Sequence, residues 1–238
     1  VAAIQAGLCE VALIVYGSTQ RSDRSRSLGG RPPILSQQYE VPWGMPAPVG
    51  AYAMAAMRHM HQYGTTSEQL AEIAVATRKW AQLNPAAMMR DPLTIEDVLQ
   101  SPMICDPLHR LDCCLVTDGA GAVVVVSADR ARDCRKKPVW ILGQAESHSH
   151  LSIHSMPDLT RTPAEKTGKI AFEMAGVTHD DIDVAEIYDS FTITVLLQLE
   201  SLGFCKPGEG GDFVSGQRTA PGGSFPMNTN GGGLSYAH

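Results

Sequence analysis

An α/β fold with largely parallel sheets is predicted for this 238-residue chain by three features of its sequence. Short apolar runs rich in β-branched residues read as strands buried on both faces. Longer segments repeat apolar residues at helical spacing and carry their own start and stop signals. The two kinds of segment alternate along the chain, the order that builds parallel sheets through crossover helices. The length suits one large domain or two modest ones and is enough to bury a core without staples.

Val1–Gly7 reads as the end of a helix stopped by Gly7, and Val11–Tyr16 (VALIVY) as the first strand, ended at Gly17. Ser18–Gly50 is polar, carries Arg21, Arg24, Arg26 and Arg31 and then several prolines; it reads as a long excursion from the sheet. Excursions of that length usually serve function. Ala51–Tyr63, rich in Ala and Met, is a helix. Thr66 with Gln69 makes a capping box for the next one. Leu70, Ile73, Ala74, Thr77 and Trp80-Ala81 then recur at helical spacing until Asn84-Pro85 ends the pattern.

Thr94–Leu99 adds a short helix. Val123–Ser127, entered through the small residues after Asp118, is a second buried strand, and Val139–Leu142 opens a third. Thr162-Pro163-Ala164-Glu165 starts a helix with a Thr cap, Pro first and Glu in the first turn. It runs to Gly176. Val184–Tyr188 is a further strand, from which Asp189-Ser190-Phe191 turns into the apolar helix Thr192–Leu202, stopped by Gly203. The tail from Lys206 is rich in glycine. The strand–helix order recurs on either side of Lys136-Lys137-Pro138, which places a domain boundary between residues 1–136 and 137–238. Both ends read as cut, Val1 opening inside a helix and His238 following a glycine-rich turn, so a fragment is expected.

Hydrophobic residues make up 44% and charged residues 18%, a balance that excludes a disordered chain. The formal net charge is −6, from 19 basic and 25 acidic residues, with no basic block, which argues against nucleic-acid binding. No apolar run approaches the ~20 residues of a membrane span, and the opening stretch, lacking a basic n-region and broken by Glu10, does not read as a signal peptide. Six cysteines without a CxxC pair, beside ten methionines, suit a reducing compartment, the cytoplasm or an organelle matrix. His148, His150 and His154 lack an acidic ligand nearby and read as ordinary packing, so no metal is expected.

Two segments carry candidate chemistry. Asn228-Thr229-Asn230-Gly231-Gly232-Gly233 puts three glycines where backbone must approach something closely, and His238 follows. A catalytic histidine held by a tight loop and a surface turn with an incidental histidine both fit that spacing. Tyr188-Asp189-Ser190-Phe191 lies at the C-terminal end of a strand, the edge where parallel sheets bind ligands. Tyr188 there is either a donor to a developing oxyanion or a buried tyrosine tied to backbone. Cys113-Cys114 read as small buried residues beside a strand.

The glycine-rich tail, the Tyr188–Phe191 box and the segment Asp118–Ser127 (DGAGAVVVVS), in this chain order, resemble the thiolase superfamily, its lipid-transfer-protein (sterol-carrier-protein-like) branch. The resemblance spans essentially the whole chain. Thr65–Gln69 with Asn84-Pro85, then Ser101–Cys114, look like that branch's lid and its return to the sheet. Asn228–His238 looks like the family's asparagine–glycine–glycine…glycine–histidine motif, with Ala237 in the usual glycine place. The implied fold is two similar α/β halves with mainly parallel mixed sheets and a helical lid excursion over about 18–112.

The resemblance implies a CoA-dependent acyltransferase that cleaves or forms a C–C bond next to an acyl-CoA thioester. Coenzyme A is then substrate, with no permanently bound cofactor. By resemblance His238 activates the nucleophile, and Tyr188 and Asp189 join it as catalytic residues. Cys113, Cys114, Phe191, Asn230, Gly231 and Gly232 line the acyl-CoA path. A homodimer or larger oligomer is implied.

Two departures stand out. Tyr188 replaces the asparagine of the family's asparagine–glutamate–alanine–phenylalanine box, and none of the six cysteines matches the family's nucleophilic ones. The first opens an alternative, a retro-aldolase acting on β-hydroxyacyl-CoA side chains with a partner carrying a zinc finger and an OB-fold. The second leaves the fragment itself inactive. A non-catalytic acyl-CoA or lipid binder is the third reading.

Overall fold

The computed structural model describes residues 1–24, 39, 41–45 and 48–237. It falls into two compact units, one of Val1–Ser27 with Val116–Leu142, the other of Leu28–Leu115 with Gly143–His238.

The first unit is a ribbon. A short helix α1 (Ala2–Gln5) precedes β1 (Val11–Ser18), which pairs with β4 (Gly119–Val126). The pairing is antiparallel and unbroken, from Val11 opposite Val126 to Ser18 opposite Gly119. Beyond the ladder, Asp118 accepts from the Arg21 and Ser22 amides at 2.9 and 3.1 Å and from the Ser22 hydroxyl, bonds that hold its carboxyl below the usual range. A helical turn, α5 (Ala128–Ala131), follows β4, and Arg130 bridges to Glu10 at 3.1 Å.

The expectation of parallel strands buried on both faces fails here. A two-stranded antiparallel ribbon leaves both faces open, and Leu13, Val15 and Val124 are more than half exposed. An apolar run reports that a strand seeks burial; it does not encode the direction of its neighbour. The third expected strand, Val139–Leu142, joins no ladder either, and its four side chains are exposed.

The second unit is mainly helical. α2 (Val49–Tyr63) ends at Gly64, and α3 (Ser67–Leu83) begins with the reciprocal Thr66–Gln69 box expected from sequence. Alanines at 51, 53, 55 and 56 of α2 and at 71, 74, 76 and 81 of α3 are buried, and such small residues let neighbouring elements approach closely. α4 (Ile95–Gln100) is capped by Thr94, then a small hairpin joins β2 (Met103–Cys105) to β3 (Leu108–His109). α6 (Ala164–Ala175) and α7 (Thr192–Leu202) end at Gly176 and Gly203 in left-handed conformation. A short α8 (Gly210–Val214) follows.

α7 is the spine. It packs against α2, α3, α6 and α8. Ile193, Val195, Leu196, Leu197 and Leu199 are at most 1% exposed. Each such side chain contributes about 1.5–3 kcal/mol by leaving water. α6 meets α7 at Gly168, where a Cβ would stand 2.9 Å from Leu202 Cδ2, so a side chain there would displace the end of the Leu202 side chain. A buried polar knot ties α2 and α8 to this spine. His59 Nε2 on α2 lies 3.1 Å from both Glu200 oxygens on α7, and Glu200 also accepts from the Gly210 amide of α8.

Two local readings change. Val184–Tyr188 forms no sheet strand; it makes one parallel bridge, Ala185 with Met227, because the tail segment lies beside it in place of a strand. The histidines do have an acidic neighbour, since His148 Nε2 lies 2.7 Å from Glu146 Oε1 in an exposed pair. No group of three metal-ligating side chains occurs among the described residues.

Candidate active site

The site is built where two irregular segments lie side by side. The Asn228 amide donates to the Ala185 carbonyl at 2.9 Å, and the Ala185 amide to the Pro226 carbonyl at 3.0 Å. The Asn228 carboxamide continues the pairing. Its Oδ1 accepts from the Ile187 amide at 2.8 Å, and its Nδ2 donates to the Ile187 carbonyl at 2.9 Å. Asn228 holds φ 50, a left-handed conformation asparagine tolerates better than most residues. Glu186 adds a third tie, accepting from the Thr229 amide and hydroxyl. Tyr188 follows directly on this clamped backbone, and its ring is 56% exposed.

Opposite stands the glycine-rich turn, a single π-helical turn over Gly232–Tyr236. Asp189 is 3% exposed and holds it. One carboxylate oxygen accepts from the Gly233 amide at 2.7 Å, the other from the Leu234 amide at 3.1 Å. Gly232 has φ +54, and a Cβ there would stand 2.1 Å from Asp189 Oδ2, so glycine is required.

The remaining amides of the turn are engaged too. Gly231, Ser235, Tyr236 and Ala237 donate to main-chain carbonyls, and Gly232 to Asn230 Oδ1. Polar contacts from this wall to a ligand therefore fall to side chains.

Tyr188, Asp189, Asn230, Gly232 and Tyr236 border one cavity of about 350 Å³. Tyr188 also borders a second of about 350 Å³, walled by Tyr52, Leu151, Ile153, Met156 and Leu197. Tyr188 thus borders both cavities, and each is lined by polar and apolar side chains together.

Of the residues expected at the site, Gly231 packs against Ala81 beside these two cavities without bordering either. Phe191 is buried with its ring 4.4 Å from that of Tyr52, and it bridges to Cys113. The Cys114 amide donates to the Ser190 carbonyl at 2.9 Å. Both thiols lie beside the box without bordering either cavity. Burial, with the Asp112 charge second, pushes the Cys113 thiol up to about 12; burial, with Asp189 second, pushes Cys114 to about 11. Both are therefore neutral and weakly nucleophilic near neutral pH. His238, Arg26 and Arg31 lie outside the described residues.

Sequence reasoning passed over Asn228 as a clamp, and it passed over Arg78 and Ser235 altogether. Arg78 had a signal: it stands within the apolar arc of α3, one residue after Thr77 and four after Ala74, where a charge needs a partner. Ser235 had none.

Comparison with known proteins bears on this site. Residues 145–238 match the family model described as thiolase C-terminal domain-like. An acetyl-CoA acetyltransferase of Methanothermobacter thermautotrophicus is 39% identical over 203 residues, 85% of this chain and 53% of the relative. A steroid side-chain-cleaving aldolase of Thermomonospora curvata is 37% identical over 249 residues, 99% of this chain and 64% of the relative. Among solved structures, the Ltp2-ChsH2(DUF35) aldolase aligns with a TM-score of 0.90 at 36% identity, over 100% of this chain and 63% of that one. The chain thus spans between about half and two thirds of the length of these relatives.

Proposed function

The chain belongs to the thiolase superfamily, and on that premise we propose that its site serves C–C bond cleavage beside a CoA thioester, by retro-aldol reaction of a β-hydroxyacyl-CoA. The observation that carries this reading is Tyr188, a phenol bordering two cavities, facing a turn whose main-chain amides are all engaged. The thioester and the departing carbonyl fragment occupy the two cavities that Tyr188 borders.

In the reaction a base takes the β-hydroxyl proton, and the hydroxyl carbon becomes a carbonyl as the Cα–Cβ bond breaks. The bonding pair moves into the thioester, which becomes an enolate, and a proton returns to Cα. No oxidant, reductant or net proton is needed. Tyr188 donates to the thioester oxygen as its charge grows. His238, in the place of the family's histidine, is assigned the base. Asp189 holds the glycine-rich turn through its Gly233 and Leu234 amides. By analogy with the aldolase structure, which pairs its thiolase-like chain with a DUF35 protein, an OB-fold partner completes the enzyme.

A second reading, acyl transfer to or from CoA, is favoured by the glycine-rich turn leading to a histidine and by the 39% identical acetyltransferase. It requires a nucleophile other than Cys113 or Cys114, whose thiols hold their protons.

The test is Tyr188→Phe in the full-length enzyme with its partner, following release of the shortened acyl-CoA by chromatography. Loss of one oxyanion donor lowers kcat about 10²- to 10³-fold. Unchanged cleavage by the variant overturns the reading. An acyl-enzyme seen by intact mass with a 3-ketoacyl-CoA, and no cleavage of hydroxy substrates, replaces it with acyl transfer.

A further inference from the structure

Arg78 sits near the middle of α3 with 4% of its surface exposed, and among the described residues no other arginine or lysine is buried so deeply. Its Nε donates to Ser235 Oγ at 2.8 Å, and one terminal nitrogen donates to the Asp91 carbonyl at 3.0 Å. Burial lowers its pKa from the ordinary value, with the Asp91 charge opposing, yet a guanidinium stays charged at neutral pH. Helix packing does not ask for that charge. Its neighbours Ala74, Val75 and Ala81 are buried and apolar, and an apolar side chain of similar shape would sit there at lower cost.

The charge is aimed at the glycine-rich turn. Ser235, 1% exposed, lies inside that turn, 157 residues along the chain from Arg78. The turn is gripped from two sides. Asp189 takes its Gly233 and Leu234 amides on one. On the other, Arg78 takes the Ser235 hydroxyl, Asn84 Nδ2 donates to the Asn230 carbonyl, and the Met88 and Met89 amides donate to the Tyr236 and Ser235 carbonyls. Of the groups on that second side only Arg78 is charged, and its planar fork ties two backbone segments in fixed geometry.

We propose that Arg78 is a positioning residue for the site: through Ser235 it sets the register of the turn against Asp189, and so the distance at which the turn and Tyr188 face a CoA ester. It touches no substrate. The inference rests on reading this turn as part of the reacting site, and it extends that reading to a residue carried by the lid region.

The experiment uses the full-length enzyme. Arg78→Met and Ser235→Ala each lower kcat about 10- to 100-fold, the factor that one charge-assisted hydrogen bond of about 1.5–3 kcal/mol converts to, with KM for the CoA ester nearly unchanged. The double variant loses no more than Arg78→Met alone, because both remove one contact. Arg78→Lys keeps the charge without the fork and falls between.

Amide exchange of Gly233 and Leu234 provides a second readout that needs no turnover: it quickens in both single variants while α7 exchanges as before. Wild-type kcat in both variants, losses that multiply, or unchanged protection of the two amides each overturns the proposal. Should Arg78→Met fail to fold, Ser235→Ala carries the test. Faster exchange in an enzyme whose wild type turns over no β-hydroxyacyl-CoA sinks the reaction assigned above and leaves the positioning role standing.

Discussion

β1 and α7 are both apolar runs, and the protein treats them in opposite ways. VALIVYGS pairs with one strand and leaves Leu13, Ile14, Val15 and Tyr16 more than half exposed. TITVLLQLESL packs against four other helices, and Ile193, Val195, Leu196, Leu197 and Leu199 are nearly inaccessible. Equal hydropathy therefore does not mean equal burial. An apolar helix needs neighbours along its buried faces, and α2, α3, α6 and α8 supply them. A strand of the same composition needs a layer on each face, and a two-stranded ribbon has none of its own.

The contrast is sharpest in the thiols. Cys113 and Cys114 lie in the helical unit, partly buried, and Cys134 in the ribbon unit, exposed. Raising a thiol from 9.0 to about 12 lowers its thiolate fraction near neutral pH about a thousandfold. Alkylation followed by peptide mass mapping is expected to mark exposed Cys134 first, and to find Cys113 about a thousandfold and Cys114 about a hundredfold slower in the folded chain than in the unfolded one. The linkage has a definite sign. A folded-state thiol pKa above the unfolded value stabilises the fold below pH 9.0, and that contribution is lost as pH rises toward about 12. Equal labelling of all three would break the comparison.

The next effect is on stability. Leu196→Ala, in a side chain with 0% exposure, is expected to cost about 3 kcal/mol in denaturant unfolding followed by helical circular dichroism. The smallest is in the ribbon. Ile14→Thr keeps a β-branched residue at a 56% exposed position and should cost less than about 1 kcal/mol in the same assay. If Ile14→Thr costs as much as Leu196→Ala, the ribbon is as covered in solution as the spine.

What was legible in the sequence was local. Thr66 and Gln69 cap α3, Asn84 ends it, and Gly176 and Gly203 stop their helices, because each signal acts within a few residues of itself. The direction of the β1–β4 pair was not legible, since it depends on a partner more than a hundred residues away. The site divides the same way. The Tyr188–Phe191 box and the Asn228–Gly233 segment were visible as strings and prove to be neighbours. Asp189 and Asn228 spend their polar atoms on backbone, which composition cannot show, and the Arg78–Ser235 contact lies outside both strings, with a signal at Arg78 and none at Ser235.

The carboxamide of Asn228 has one more consequence. By occupying both the amide and the carbonyl of Ile187, it does the job of a neighbouring strand with a single side chain. Main chain at Ile187 is closed to any incoming peptide, and the next residue, Tyr188, extends from a backbone already held in place. The position behaves as a socket. Exchanging the phenol for an imidazole, an amide or a plain ring should change the chemistry on offer while the frame that holds it stays as it is, and one scaffold can be refitted for different bond-breaking tasks by altering a single plug.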